Sequence, residues 1–373
     1  MNQIKKGVLK MTNILDYLLW RGDITFENDP FNEIDGAICA RLSYLPFERI
    51  LKAGEEITLK NAAEKMLKIE NIEEKVLIKD DYKLIKALKE SNRYNSAYAF
   101  GFVHKTDRQS QTQFCALTLK LSDGLYCVCF RGTDNTLIGW KEDFNMGLMC
   151  PVPAQRSAAE YLEKILSGFD NKFIIAGHSK GGNLAVYSAA YCREDLKNKI
   201  TAVYNYDGPG FTDTVLESDG YKNICKRVNT FVPQSSVVGM LLGHKENFFT
   251  VHSENSGLMQ HDIYSWDVEG KNFIFLESVN NSSVFVDSTV KAWFSDLTPY
   301  QLEVFVEAVF KVANETNAET LHEMGEKWFD SAVSVLKSVK NLDETTRKTA
   351  MEAIKILLKS TKSGFKKVTD KNT

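Results

Sequence analysis

No stretch of this sequence approaches the roughly 20 consecutive apolar residues that a transmembrane helix needs. The segment from Met1 to Leu15 carries basic residues but no apolar run long enough for a secretory signal. These absences lead us to expect a cytoplasmic protein. Charge of one sign is lacking too: the net charge of -3 removes the global electrostatic reason to expect nucleic acid as a partner. There is no internal repeat and no low-complexity segment, although the Lys-rich tail after Arg347 comes closest to one. The seven cysteines (Cys39, Cys115, Cys127, Cys129, Cys150, Cys192 and Cys225) are odd in number and form no framework spacing. They read as free buried thiols of a reducing compartment. Cys127 and Cys129 alternate in an expected strand and face the same side. With no second close pair and no nearby His, they argue against a zinc site.

What is present is the composition of a globular protein, 43% hydrophobic and 25% charged over 373 residues. That length fits two domains, or one large α/β unit with appendages. Helical apolar spacing covers residues 13–21 and 34–53, as in Ile34, Ile38, Leu42 and Leu45. Residues 55–92 are rich in Lys and Glu and read as solvated helices. The texture changes near Ser96. Short β-rich runs follow at 97–103, 113–121 and 125–130, then a helix at 154–168. Strands at 173–176, 201–206, 228–232, 248–252 and 273–276 follow, with a small-residue helix at 182–192 between the first two. Strands alternating with helices predict an α/β fold with a mostly parallel sheet. After Asp287 the strand signals stop, and 299–312 and 332–358 read as amphipathic helices. The expected organisation is a helical segment at 1–95 packed on the core, an α/β core at 96–286 and a helical extension at 287–373.

The strongest local signal is Gly177-His178-Ser179-Lys180-Gly181-Gly182, which directly follows a strand and opens a helix. A Ser at such a turn adopts a strained backbone that exposes its Oγ. The flanking glycines leave room for the turn. The helix N-terminus then offers free N–H groups and positive dipole to a developing oxyanion. The bland alternative is a Gly-rich turn with an incidental Ser.

These residues resemble the nucleophile elbow of class 3 lipases, the fungal triacylglycerol lipase group. An upstream block, Phe130-Arg131-Gly132-Thr133 followed by Trp140 and Asp143, is similar to a second signature of those lipases. The resemblance implies an α/β-hydrolase fold with Ser179 as nucleophile. It also implies an oxyanion hole formed by the N–H groups of Thr133 and Lys180. Asp16-Tyr17 with Trp20-Arg21-Gly22-Asp23, Tyr206-Asp207-Gly208-Pro209-Gly210-Phe211, and Gln260-His261-Asp262 with Trp266 look like a bacterial lipase-like family. With them the resemblance spans roughly residues 13–267.

Chain order in such hydrolases is Ser, then the acid, then His. His244, His252, His261 and His322 satisfy that order, and His261 fits best, in a loop after the 248–252 strand. Class 3 lipases carry their Asp after the strand that corresponds to 228–232, but Pro233-Gln234-Ser235-Ser236 offers no carboxylate there. Asp207, one strand earlier, resembles the pancreatic-lipase placement of the acid. The competing role for Asp207 is to cap its own Gly-Pro turn.

Three further features carry a functional and a structural reading each. Lys180 either meets an acidic head group or pairs with a neighbouring carboxylate. Val237-Val238-Gly239-Met240-Leu241-Leu242 forms an acyl wall or lid, or simply packs. The tail, with Arg347, Lys348, Lys355, Lys359, Lys362, Lys366, Lys367 and Lys371, either lies on an anionic membrane or is a docked helix with a frayed basic end. The function expected is a cofactor-free serine hydrolase that cleaves carboxylic esters, lipid-like ones above all, through Ser179, His261 and Asp207. The alternatives are a non-catalytic lipase-like scaffold, and an acyltransferase or thioesterase on the same fold.

Overall fold

The structure, a computed structural model, describes residues 12–52, 54–107, 112–133, 146, 150–236, 238–255 and 257–279, together with 301, 348 and 349. Apart from Gln301, Lys348 and Thr349, the expected helices at 299–312 and 332–358 and the basic tail lie outside them, as do His322 and Trp140 with Asp143.

Helices α1 (Ile14–Arg21) and α2 (Glu33–Leu42) begin alike. Asn13 and Asn32 cap them, and Asp16 and Asp35 each return a carboxylate to the cap's own N–H. Each reciprocal pair satisfies N–H groups that the first helical turn leaves open. The helix expected to run to residue 53 stops at Leu42. Pro46 follows, and a proline bars helical backbone in the residue before it. The stretch expected as solvated helices opens instead with a strand, β1 (Glu56–Thr58). Its helices α3 (Leu59–Leu67), α4 (Ile72–Lys75) and α5 (Lys79–Glu90) each bury apolar residues; in α5 these are Leu84, Ile85 and Leu88.

Then come β2 (Tyr98–Asp107), β3 (Thr112–Ser122), β4 (Leu125–Phe130), α6 (Pro153–Gly168), β5 (Lys172–His178), α7 (Lys180–Tyr191) and β6 (Ile200–Tyr206). β7 (Val228–Pro233), β8 (Asn247–Val251), the short pair β9 (Val268–Glu269) and β10 (Asn272–Phe273), and β11 (Phe275–Leu276) complete the strands. One sheet of nine strands runs β1-β2-β3-β4-β5-β6-β7-β8-β11. It is mixed. Strands β4 to β8 are parallel to one another, while β1 to β3 and β11 add antiparallel edges.

Alternation along β4 divides the core between the two faces of the sheet, as the two-residue strand period requires. Cys127 and Cys129 join Tyr17, Ile34, Ile38 and Tyr206 on the face covered by the N-terminal helices. Val128 and Phe130 join Leu162, Leu166, Leu184 and Ala185 under α6 and α7. Burial pushes the thiols of Cys39, Cys127 and Cys129 well up, so they stay neutral. All seven cysteines are free, but the expectation that all are buried needs correction: Cys150 is exposed and Cys225 half-buried. Gly36 brings α2 close to β6, since a Cβ there would lie 2.2 Å from the Tyr206 hydroxyl. That hydroxyl donates to the Glu33 carbonyl at 2.6 Å. A sheet with a parallel centre, helices on both faces and a sharp strand–Ser–helix turn after β5 is the α/β-hydrolase fold.

Candidate active site

The C-terminal ends of adjacent parallel strands place Ser179 and Asp207, as in open α/β sheets generally, and a hydrogen bond joins Asp207 to His261; no hydrogen bond joins Ser179 to His261 among the described residues. Ser179 directly follows β5 with φ +59° and ψ −135°, a positive φ that L residues rarely adopt. It occupies the N-cap position of α7, yet its side chain makes no cap hydrogen bond. A serine in this position ordinarily spends its oxygen on the helix amides. Here the backbone does the anchoring: Ser179 N–H donates to Tyr206 O at 2.9 Å, and Gly182 N–H donates to Ser179 O at 2.8 Å.

The glycines follow from contact. A Cβ on Gly177 would sit 2.0 Å from Gly181 O, and one on Gly181 would sit 2.1 Å from Phe130 O. The β4 extension thus lies directly against the elbow. A Cβ on Gly132 would meet the Tyr44 hydroxyl at 2.3 Å, His178 O at 2.6 Å and the Ser179 Cβ at 3.0 Å. Thr133, half-buried, is the next residue along this extension. Lys180 is buried, and its ammonium donates to the backbone and side-chain carbonyls of Gln113 at 3.2 and 3.4 Å. It tethers the elbow to β3 and is not exposed to meet a head group.

Asp207 follows β6, also with positive φ (+50°), and is 1% exposed. Its Oδ2 lies 2.6 Å from Nδ1 of His261. Its Oδ1 accepts from the Ser236 hydroxyl at 2.5 Å and from Gly239 N–H at 3.1 Å. The first part of the loop after β7, residues 234–239, has no carboxylate and instead supplies donors to the carboxylate of the neighbouring strand. Asp207 does not cap its own turn: Gly208 N–H donates to Asn205 Oδ1 at 3.0 Å.

His261 ends a 3₁₀ turn, Gly257–His261, and its side chain is about a quarter exposed (26%). It rests on His178, with ring centroids 4.6 Å apart at 33°. The Nε2–H of His178 donates to the His261 carbonyl at 2.8 Å. Burial, then the neighbouring His261 and Arg41, hold His178 well below the usual histidine range, so it is neutral.

The other two described candidates lie in separate pairs. His244 Nδ1 is 2.8 Å from Glu246, and His252 contacts Asp267. Reading the sequence passed over His178, Ser236, Gly239 and Tyr44. His178 stood inside the elbow motif and counted only as a spacer. Ser236 stood in the segment noted for its missing acid. Tyr44 carries no local signal, being 134 residues from the His178 it touches.

Fold and site together define a lipase-like α/β-hydrolase. Within that class the chain belongs to the Mbeg1-like family, whose model matches residues 88–311. No curated protein matches it. Solved structures similar to it include an M37 lipase, 16% identical over 56% of this chain and 70% of that one with a TM-score of 0.39. A mutant form of MDLA from Penicillium cyclopium is 12% identical over 69% and 89%, with a TM-score of 0.40. Rhizomucor miehei lipase in its propeptide complex is 13% identical over 58% and 67%, with a TM-score of 0.39. Among the described residues no helix is long and apolar enough to cross a membrane.

Proposed function

We propose that this chain hydrolyses carboxylic esters through an acyl-enzyme on Ser179. The observation that carries the reading is the contact of His261 with the buried Asp207, beside a serine that sits at a strained N-cap and caps nothing. In this reading Asp207 accepts the Nδ1–H of His261 and so leaves Nε2 as the basic nitrogen. His261 takes the Ser179 proton as Oγ attacks the carbonyl carbon. The N–H groups of Thr133 and Lys180 bind the tetrahedral oxyanion, His261 returns the proton to the leaving alcohol, and water resolves the acyl-enzyme. Ser236 and Gly239 both spend donors on holding the acid that contacts His261, which favours the catalytic reading over a non-catalytic scaffold.

The substrate class we propose is an ester with an apolar acyl group. Met259, two residues before His261, is about half exposed (51%), and Met240, Leu241 and Leu242 follow the Gly239 that binds Asp207 and are half-buried. A fluorophosphonate probe tests the reading: it labels the wild-type protein and leaves Ser179→Ala unlabelled. Folded wild-type protein that resists the probe and turns over no ester, across a chain-length series of aryl esters, would sink it.

A further inference from the structure

We propose that Tyr44, from the chain segment that follows α2, is a positioning residue for the oxyanion hole. The inference rests on the ester-hydrolase reading above and adds to it a residue outside the matched span 88–311.

The argument begins where the sheet ends. The β4–β5 ladder holds Phe130 opposite Gly177, and no register pair follows. Beyond it the ladder pairing stops as Ser179 turns into α7, although Gly132 still lies against His178 and Ser179. Yet an oxyanion donor works only if it is held to within about 0.5 Å of its place relative to the nucleophile. Arg131 N–H is fixed by Cys115 O at 3.0 Å. Gly132 N–H, the next donor, reaches the Tyr44 hydroxyl at 2.9 Å. The same hydroxyl donates to the carbonyl of His178 at 3.1 Å. One phenol oxygen therefore bridges the residue before Thr133 to the residue before Ser179. It takes the place of the ladder where the ladder stops.

The phenol is itself held. The Arg41 guanidinium lies 4.0 Å over the Tyr44 ring. Arg41 binds Asp81 through Nε at 2.7 Å and Nη2 at 2.5 Å, with both side chains buried. Asp81 also accepts the Tyr264 hydroxyl at 2.8 Å, and Tyr264 sits in the short turn just after His261. A single buried cluster on the N-terminal helices thus reaches both sides of Ser179: the oxyanion strand through Tyr44 and the histidine loop through Tyr264. Gly132 fits the same design, since any Cβ there would strike the Tyr44 hydroxyl.

The test is Tyr44→Phe, which keeps the ring on Arg41 and removes the bridge. Turnover of a soluble short-chain aryl ester is measured per phosphonate-titrated site, together with the melting temperature and amide exchange at Gly132. We expect kcat to fall about ten- to hundredfold, as for a donor displaced rather than deleted. KM should stay within about twofold, because the lost contact acts on the transition state. Gly132 N–H should exchange faster, and 4-aminophenylalanine at position 44, which restores a donor and an acceptor, should recover most of kcat. An active wild type with an equally active Tyr44→Phe overturns this inference and leaves the hydrolase reading standing. So does a loss of activity that merely tracks the unfolded fraction, or one that 4-aminophenylalanine fails to rescue. A wild type that neither labels nor turns over overturns both.

Discussion

His261–Asp207 and His252–Asp267 are the same chemical pair in two settings. In each, Nδ1 of a partly exposed imidazole meets a buried carboxylate. The His252 pair is local. Its residues lie 15 apart in sequence, and Asp267 N–H donates to His252 O at 2.9 Å, so the contact closes the connection between β8 and β9. The His261 pair joins residues 54 apart, on strands and loops that converge at the elbow. Its imidazole rests on neutral His178 and its acid is held by Ser236 and Gly239. A histidine–carboxylate contact is therefore no mark of function by itself. What separates the two is the neighbour on the far side of the ring.

That contrast can be broken most sharply at the acids and bases. Asp207→Asn should lower kcat by about 10⁴, the magnitude seen when a triad histidine loses its orienting acid. His252→Gln should change kcat by less than about twofold, as a surface substitution does. Comparable losses in the two variants would erase the distinction. The next largest effect concerns the cluster under the site. Arg41→Met leaves Asp81 as an uncompensated buried charge and should cost about 3–5 kcal/mol in urea unfolding. A loss below about 1 kcal/mol, as for an exposed pair, would mean that the N-terminal helices do not bury it.

The smallest effect is a pH dependence. Burial holds the folded-state pKa of His178 well below its ordinary 6.5, so the unfolded chain binds a proton that the native chain refuses. The sign follows: stability from this group is complete above about pH 6.5 and declines as pH falls below that value. The urea midpoint should drop between about pH 7 and pH 5, and His178→Phe should flatten that slope. A slope that His178→Phe leaves unchanged would mean that His178 is not the neutral platform for His261.

Much of the framework was legible before any coordinates. The elbow was, because a serine with positive φ at a tight strand-to-helix turn forces glycines at 177 and 181, and those glycines stand in the sequence. The sheet's middle was, because β-rich runs alternated with helical spacing. The helix through 53 was over-extended because apolar period continues past Leu42 while Pro46 breaks the backbone. β1 was missed because three residues at a sheet edge carry no readable period.

Local sequence determined what local backbone demands: the caps at Asn13 and Asn32, the alternation that splits the core at β4, the glycines around Ser179, and an aspartate at the end of β6. Only the tertiary structure decided which histidine meets that aspartate, that Ser236 replaces a missing acid with a hydrogen bond to Asp207, and that Tyr44 reaches the oxyanion strand. The reason is physical. Backbone conformation and period are written within a few residues, whereas a side-chain contact across 54 or 134 positions exists only after the sheet has brought its strand ends together.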